Sequence, residues 1–192
     1  VTCRKEVFKN IEKFVSPETI IATNSTTIAI TELSSELEHK ERCVSMHFIT
    51  SAPGAKMAEV VRSLYTSNEV FDKVSKFITM LGKTMVQVQE SPGLISIRLF
   101  VTLVNEACEI MMEGVGNKSD IDNTMRIGLG LAMGPFELAD KIGLDKVERW
   151  MDNLYGEFGD IKYKASPILK RHVRAHQYGR STGQGFYTYD DT

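Results

Sequence analysis

The chain changes character at Ser91-Pro92-Gly93, and that change constrains its fold more than any other feature. Upstream, short aliphatic and β-branched runs alternate with segments of helical period. Residues 19–23, 43–48, 57–62 and 84–89 read as strands. Residues 3–14 read as a helix with Val7, Phe8, Ile11 and Phe14 on one face. Ile28 to Leu37 reads as a short helix. Ser67 to Leu81 reads as another, with Val70, Phe71, Val74, Phe77, Ile78 and Leu81 aligned and Gly82 closing it. This alternation predicts an α/β unit with a largely parallel sheet. Downstream the strand signal fades. Leu94 to Val115 predicts a long helix with Asn105, Glu106 and Glu109 on its polar side and Gly114 and Gly116 ending it. Ser119 is the predicted N-cap of a helix over 120–127. Pro135 opens a helix over 136–140. Asp145 and Glu148 suggest a capping box for a helix reaching Tyr155, and Pro167 to Val173 forms one more. The expected fold class is α/β followed by all-α, with domains at 1–92 and 93–192.

Composition narrows the function classes. Of 192 residues, 42 % are hydrophobic and 25 % charged, enough for a packed core. The net charge of −2 carries no overall basic footprint, so nucleic acid is not an expected partner. No apolar run approaches the roughly 18 residues of a membrane span, and the start VTCRKEVFKN is too charged for a secretory leader. Cys3, Cys43 and Cys108 are odd in number and far apart. They read as buried free thiols of a reducing compartment, the cytoplasm, rather than as disulfides or metal ligands.

Four groups of residues carry candidate chemistry. His47 ends a predicted strand, the place where open α/β sheets bind ligands. Glu59 follows twelve positions later, and a His–Glu pair makes a general-base unit. On spacing alone, a satisfied structural histidine is the competing reading. Thr23-Asn24-Ser25-Thr26-Thr27 ends another strand with five small polar side chains. They suit a phosphate, ribose or carbonyl, and equally a Ser/Thr turn. Gly128-Leu129-Gly130-Leu131-Ala132-Met133-Gly134 follows a helix and has the wrong spacing for a dinucleotide loop, so it reads as a helix–helix turn. The basic residues Lys162, Lys164, Lys170, Arg171, Arg174 and Arg180 form either a solvated face or a site for acidic groups such as coenzyme A phosphates. No metal site is expected: His39, His172 and His176 lie in polar contexts without a third ligand.

Taken in order, several segments resemble the 3-hydroxyacyl-CoA dehydrogenase family along nearly the whole chain. They are residues 21–27, Met46-His47-Phe48, Lys56 to Val61, Leu81-Gly82-Lys83-Thr84, Ser91-Pro92-Gly93, Asn105-Glu106-Ala107, Met133 to Asp140 and Gly179 to Tyr187. The resemblance implies the C-terminal part of a Rossmann-type parallel-sheet domain, followed by a helical domain that forms a homodimer. It implies NAD as cofactor, a 3-hydroxyacyl-CoA substrate, and a role in fatty-acid or butanoate metabolism. It places His47 as the base and Glu59 as its partner, Asn24 and Thr26 at the substrate, and Arg4 and Thr50 at the cofactor.

The departures from the family pattern are specific. Thr26 stands where the family has serine, and Thr50 where it has asparagine. Ile97, before Arg98, stands where the family has an asparagine that holds substrate and histidine. Ser181 replaces a lysine that meets the cofactor. The Gly-x-Gly-x-x-Gly turn that opens the family is not found. The expectation is therefore a crop of a longer protein, the alternative being a reduced sheet completed by a partner. The competing functions are a non-catalytic acyl-CoA-binding or dimerisation module and, within the fold superfamily, an enzyme acting on a smaller hydroxy acid or sugar acid.

Overall fold

A computed structural model describes residues 2–26, 28–49 and 54–189. The chain divides into two compact units, Val1–Ile95 and Ser96–Thr192.

In the first unit the elements run α1 (Thr2–Phe14), β1 (Ile21–Thr23), α2 (Ile30–Ser34), β2 (Cys43–His47), β3 (Met57–Arg62), α3 (Asn68–Met80) and β4 (Thr84–Val88). The strands lie in the order β1-β2-β3-β4. The sheet is mixed rather than largely parallel: β1–β2 and β3–β4 are parallel, but β2–β3 is antiparallel. The reason is the link between them. Residues 48–56 are too few for the dozen or more that a parallel crossover needs, so β3 must return beside β2 in the opposite sense.

Strand alternation sends Cys43, Ser45 and His47 to one face of β2 and Val44 and Met46 to the other. The first face belongs to a cluster of Phe8, Ile21, Ile30, Leu33, Leu37, Cys43, Val61 and Leu94. The second packs Val44, Ala58 and Val60 on Phe71, Val74 and Ile78 of α3, each of the larger side chains worth about 1.5–3 kcal/mol of burial. Ser67 caps α3 by accepting from the Val70 N–H. Of the predicted apolar faces only part is covered. Phe8 is the one buried member of the α1 set, while Val7, Ile11 and Phe14 are exposed, as are Phe77 and Leu81 at α3. Cys43 and Cys108 are buried as expected, and burial pushes both thiols up to about 12. Cys3 is exposed on α1, contrary to expectation.

The second unit is helical: α4 (Ser96–Met112), α5 (Lys118–Asn123), α6 (Pro135–Ile142), α7 (Leu144–Phe158) and α8 (Pro167–Arg174). Ile97, Val101, Val104 and Cys108 form a buried stripe along α4 and pack with Phe136, Leu144, Met151, Leu154 and Leu169. Asn105, expected on the polar side, is buried. Its amide donates to Lys162 O (2.8 Å) and Lys164 O (3.0 Å) and accepts from the Ser166 N–H (3.1 Å). It fastens the segment before α8 because a loop crossing a core must have its backbone groups paired.

Two predicted caps are corrected. Asn117, not Ser119, caps α5, accepting from the Ser119 and Asp120 N–H groups. Gly143, not Asp145, precedes α7, and Asp145 instead sits 3.5 Å from Arg149 on the surface. The glycine-rich run is a helix–helix connection: Thr124–Gly128 forms a widened turn after α5, and α6 begins at Pro135. There Asp122 accepts from the Phe136 and Glu137 N–H groups at 2.9 and 3.0 Å, supplying the partners that a helix start otherwise lacks. Among the described residues no helix is long and apolar enough to cross a membrane.

Candidate active site

The antiparallel register sets His47 directly opposite Glu59. Opposed residues on adjacent strands share a face, with Cβ atoms about 4.5–5.5 Å apart. The side chains meet: His47 Nδ1 lies 3.1 Å from Glu59 Oε2. Both are nearly shut off from solvent, at 6 % and 1 % exposure. An ionised carboxylate only accepts, so against one Nδ1 is the donor and Nε2 is left as the acceptor. A buried carboxylate needs donors, and Glu59 Oε1 also accepts from the Ile95 N–H at 3.1 Å.

The turn after β1 is tied down beside this strand pair. The Ser45 hydroxyl, two residues before His47, lies 3.3 Å from Thr23 O and 3.2 Å from Ser25 O and donates between them. The Ser25 N–H donates to Thr23 Oγ1 (3.1 Å), and Ser25 Oγ accepts from the Ile28 N–H (3.2 Å). Thr26 is buried, and its carbonyl accepts from the Gly93 N–H at 2.6 Å. Asn24 is exposed at the strand end. Ser25, Thr26, Ser45, Glu90 and Ser91 line a cavity of about 20 Å³, room for a water and not for a ligand.

The other expected site residues are scattered or undescribed. Arg4 is exposed on α1. Thr50 lies outside the described residues, as does Thr27. Ile97 is 1 % exposed within the core of the helical unit, so this position is filled by a packing side chain. The basic stretch is partly paired with carboxylates. Lys162, Lys164, Lys170 and Arg174 line a groove of about 610 Å³ together with Glu106 and Glu109. Lys162 is paired with Asp160 at 2.6 Å, and Lys170 lies 3.9 Å from Asp152. His172 and His176 bond to Gln177 and Tyr178. Sequence reasoning missed the backbone donors at Gly93 and Ile95. Ser91-Pro92-Gly93 was the available signal, but it reads as a boundary and not as a hydrogen-bonding turn.

Comparison with known proteins gives the family. Residues 1–91 match the model described as 3-hydroxyacyl-CoA dehydrogenase, NAD binding domain, and residues 93–189 match 3-hydroxyacyl-CoA dehydrogenase, C-terminal domain. The chain belongs to the 3-hydroxyacyl-CoA dehydrogenase family. It is 41 % identical over 187 residues to a 3-hydroxybutyryl-CoA dehydrogenase of Clostridioides difficile, covering 97 % of this chain and 66 % of that protein. It is 34 % identical to the mitochondrial hydroxyacyl-coenzyme A dehydrogenase of Homo sapiens, covering 97 % of this chain and 60 % of that one. Among solved structures, (S)-3-hydroxybutyryl-CoA dehydrogenase PaaH1 from Ralstonia eutropha superposes with a TM-score of 0.92 at 34 % identity, covering 100 % of this chain and 68 % of that chain. The chain thus spans about two thirds of the length of the curated relatives it matches.

Proposed function

We propose that the protein interconverts 3-hydroxyacyl-CoA and 3-oxoacyl-CoA with NAD, His47 serving as the acid–base group and Glu59 as its partner. The observation that carries this reading is the buried His47–Glu59 contact. NAD, when bound, accepts the hydride that leaves C3 of the hydroxyacyl group. The donor set fits that chemistry, since loss of hydride from an alcohol carbon requires a base for the hydroxyl proton. His47 Nε2 takes that proton while Glu59 holds Nδ1–H and offsets the charge of the imidazolium. In the reverse direction the imidazolium returns the proton to the carbonyl oxygen.

Asn24 and Thr26, on the turn that Ser45 fastens, are the proposed substrate contacts, and the Thr26 hydroxyl takes the place of the family serine. Arg4 and Thr50 are the proposed cofactor contacts. No Gly-x-Gly-x-x-Gly turn occurs within residues 1–192, and no residue here is assigned to the cofactor's pyrophosphate.

A homodimer through the helical unit belongs to the same proposal. Its support is the apolar surface that unit exposes, including Leu99, Met112, Val115, Ile127 and Leu129. Sedimentation equilibrium at micromolar concentration is expected to give twice the chain mass, and a monomeric mass refutes the dimer. The reaction itself is tested by the fall in NADH absorbance with acetoacetyl-CoA, using the protein at its natural full length. Turnover is the expected result. Absence of turnover, with the ligands shown to bind by a rise in melting temperature, favours the non-catalytic binding module instead.

A further inference from the structure

We propose that the left-handed turn at Gly93-Leu94 is a positioning element of the acid–base pair, aiming the Ile95 N–H at Glu59 so that the carboxylate holds His47 in one orientation. This deepens the reading of His47 and Glu59 given above and rests on it. Two successive residues have positive φ, Gly93 at 77° and Leu94 at 51°. Glycine adopts that conformation freely, but for leucine it is strained and persists only where the surroundings impose it. Here they do. The Leu94 side chain is 6 % exposed and packed in the cluster of Phe8, Ile21, Ile30, Leu33, Cys43 and Val61. Ser45 and His47 share a strand face with Cys43 of that cluster.

Two of the turn's three backbone donors reach the site. The Gly93 N–H goes to Thr26 O (2.6 Å), the Leu94 N–H closes the turn on Ser91 O (3.1 Å), and the Ile95 N–H goes to Glu59 Oε1 (3.1 Å). Three consecutive residues therefore join the turn bearing the proposed substrate contacts to the carboxylate of the pair. A donor on Oε1 restrains the carboxylate against rotation about its terminal torsion. With Oε1 fixed by Ile95, Oε2 is directed at His47 Nδ1. Leu94 and Ile95 touch neither substrate nor cofactor in this role. They act through Glu59.

The decisive variant replaces Ile95 by its α-hydroxy analogue, an amide-to-ester exchange that deletes one N–H and keeps the side chain. In the full chain with ¹⁵N-labelled histidine, exchange of the His47 Nδ1 proton with water is expected to accelerate by roughly tenfold or more, the loss expected for one hydrogen bond to a charged group. In the NAD-dependent assay the same variant is expected to lower kcat and leave KM unchanged. Leu94→Gly, which keeps the turn and loses packing, is expected to exchange within about twofold of the parent despite a lower melting temperature. Leu94→Val, which keeps an apolar side chain but resists left-handed backbone, is expected to behave like the ester. Unchanged exchange in the ester overturns the proposal, and so does Leu94→Gly exchanging as fast as Leu94→Val. The exchange readout needs no turnover, so it judges the turn even if His47→Gln proves fully active and the acid–base reading itself fails.

Discussion

His47→Gln lowers kcat by roughly two to four orders of magnitude, the contribution of a positioned acid–base group. That is about 3–5 kcal/mol on the barrier. Glutamine nearly preserves the volume and keeps a donor for Glu59, but it cannot take up a proton. KM for the acyl-CoA is expected to change little, because in the proposed role the imidazole acts on the reacting hydroxyl and does not contribute uniformly to binding. Glu59→Gln gives a smaller loss. It retains a polar partner for His47 but removes the negative charge that favours the imidazolium and leaves the tautomer unspecified. Steady-state kinetics on the full-length protein check both. Equal turnover in His47→Gln would sink the catalytic assignment and reduce the pair to a buried hydrogen-bonded pair across the β2–β3 ladder.

Asp140→Ala is the largest stability loss expected, about 3–5 kcal/mol by urea unfolding. Asp140 is 1 % exposed. Its carboxylate accepts from the Phe186 and Tyr187 N–H groups, both at 2.9 Å, and from the Tyr189 hydroxyl at 3.0 Å. Removing it leaves buried backbone donors without partners and releases the C-terminal segment from α6. Burial and the Asp140 carboxylate together push the Tyr189 hydroxyl up to about 12, as expected for a phenol held as a donor. Gly185 is part of the same clasp: a Cβ there would lie 2.2 Å from Asp140 Oδ1. Gly185→Ala is therefore expected to lose stability by pushing on the Asp140 carboxylate while that residue itself is kept. Asp140→Asn, keeping one acceptor oxygen, falls between the parent and Asp140→Ala. A loss below about 1 kcal/mol for Asp140→Ala, within the range of an ordinary surface change, would show that the clasp does not hold the segment.

Much of the first unit was legible because its signals are local. The strands at Cys43–His47 and Met57–Arg62 lie within one residue of their expected bounds, since runs such as Val44-Ser45-Met46 have the β-branched and alternating character of half-buried strands. Helix starts were less legible. A cap depends on which side chain turns back onto the free N–H groups, and Asn117 and Ser119 both have the chemistry for it; at α7 the position before the helix is Gly143, which has no capping side chain. Asn105 looked solvated by its chemistry and proved buried, because the carbonyls of Lys162 and Lys164 come to it from almost sixty residues away.

The candidate site divides along the same line. His47 and Glu59 were identifiable as residue types from the sequence, and the family pattern assigned them roles. The resemblance implied that they pair, but the residues alone did not, since nothing in a spacing of twelve fixes register. The sequence by itself determined the two-part organisation, the elements, and the side chains capable of acid–base chemistry, because those follow from local periodicity and functional groups. Only the tertiary structure decided the antiparallel return of β3 that faces Glu59 to His47, the burial of Ile97, and the Ile95 N–H on the carboxylate. Strand direction, burial and a backbone donor's partner are properties of segments brought together from distant parts of the chain, where the geometry of closure decides the outcome.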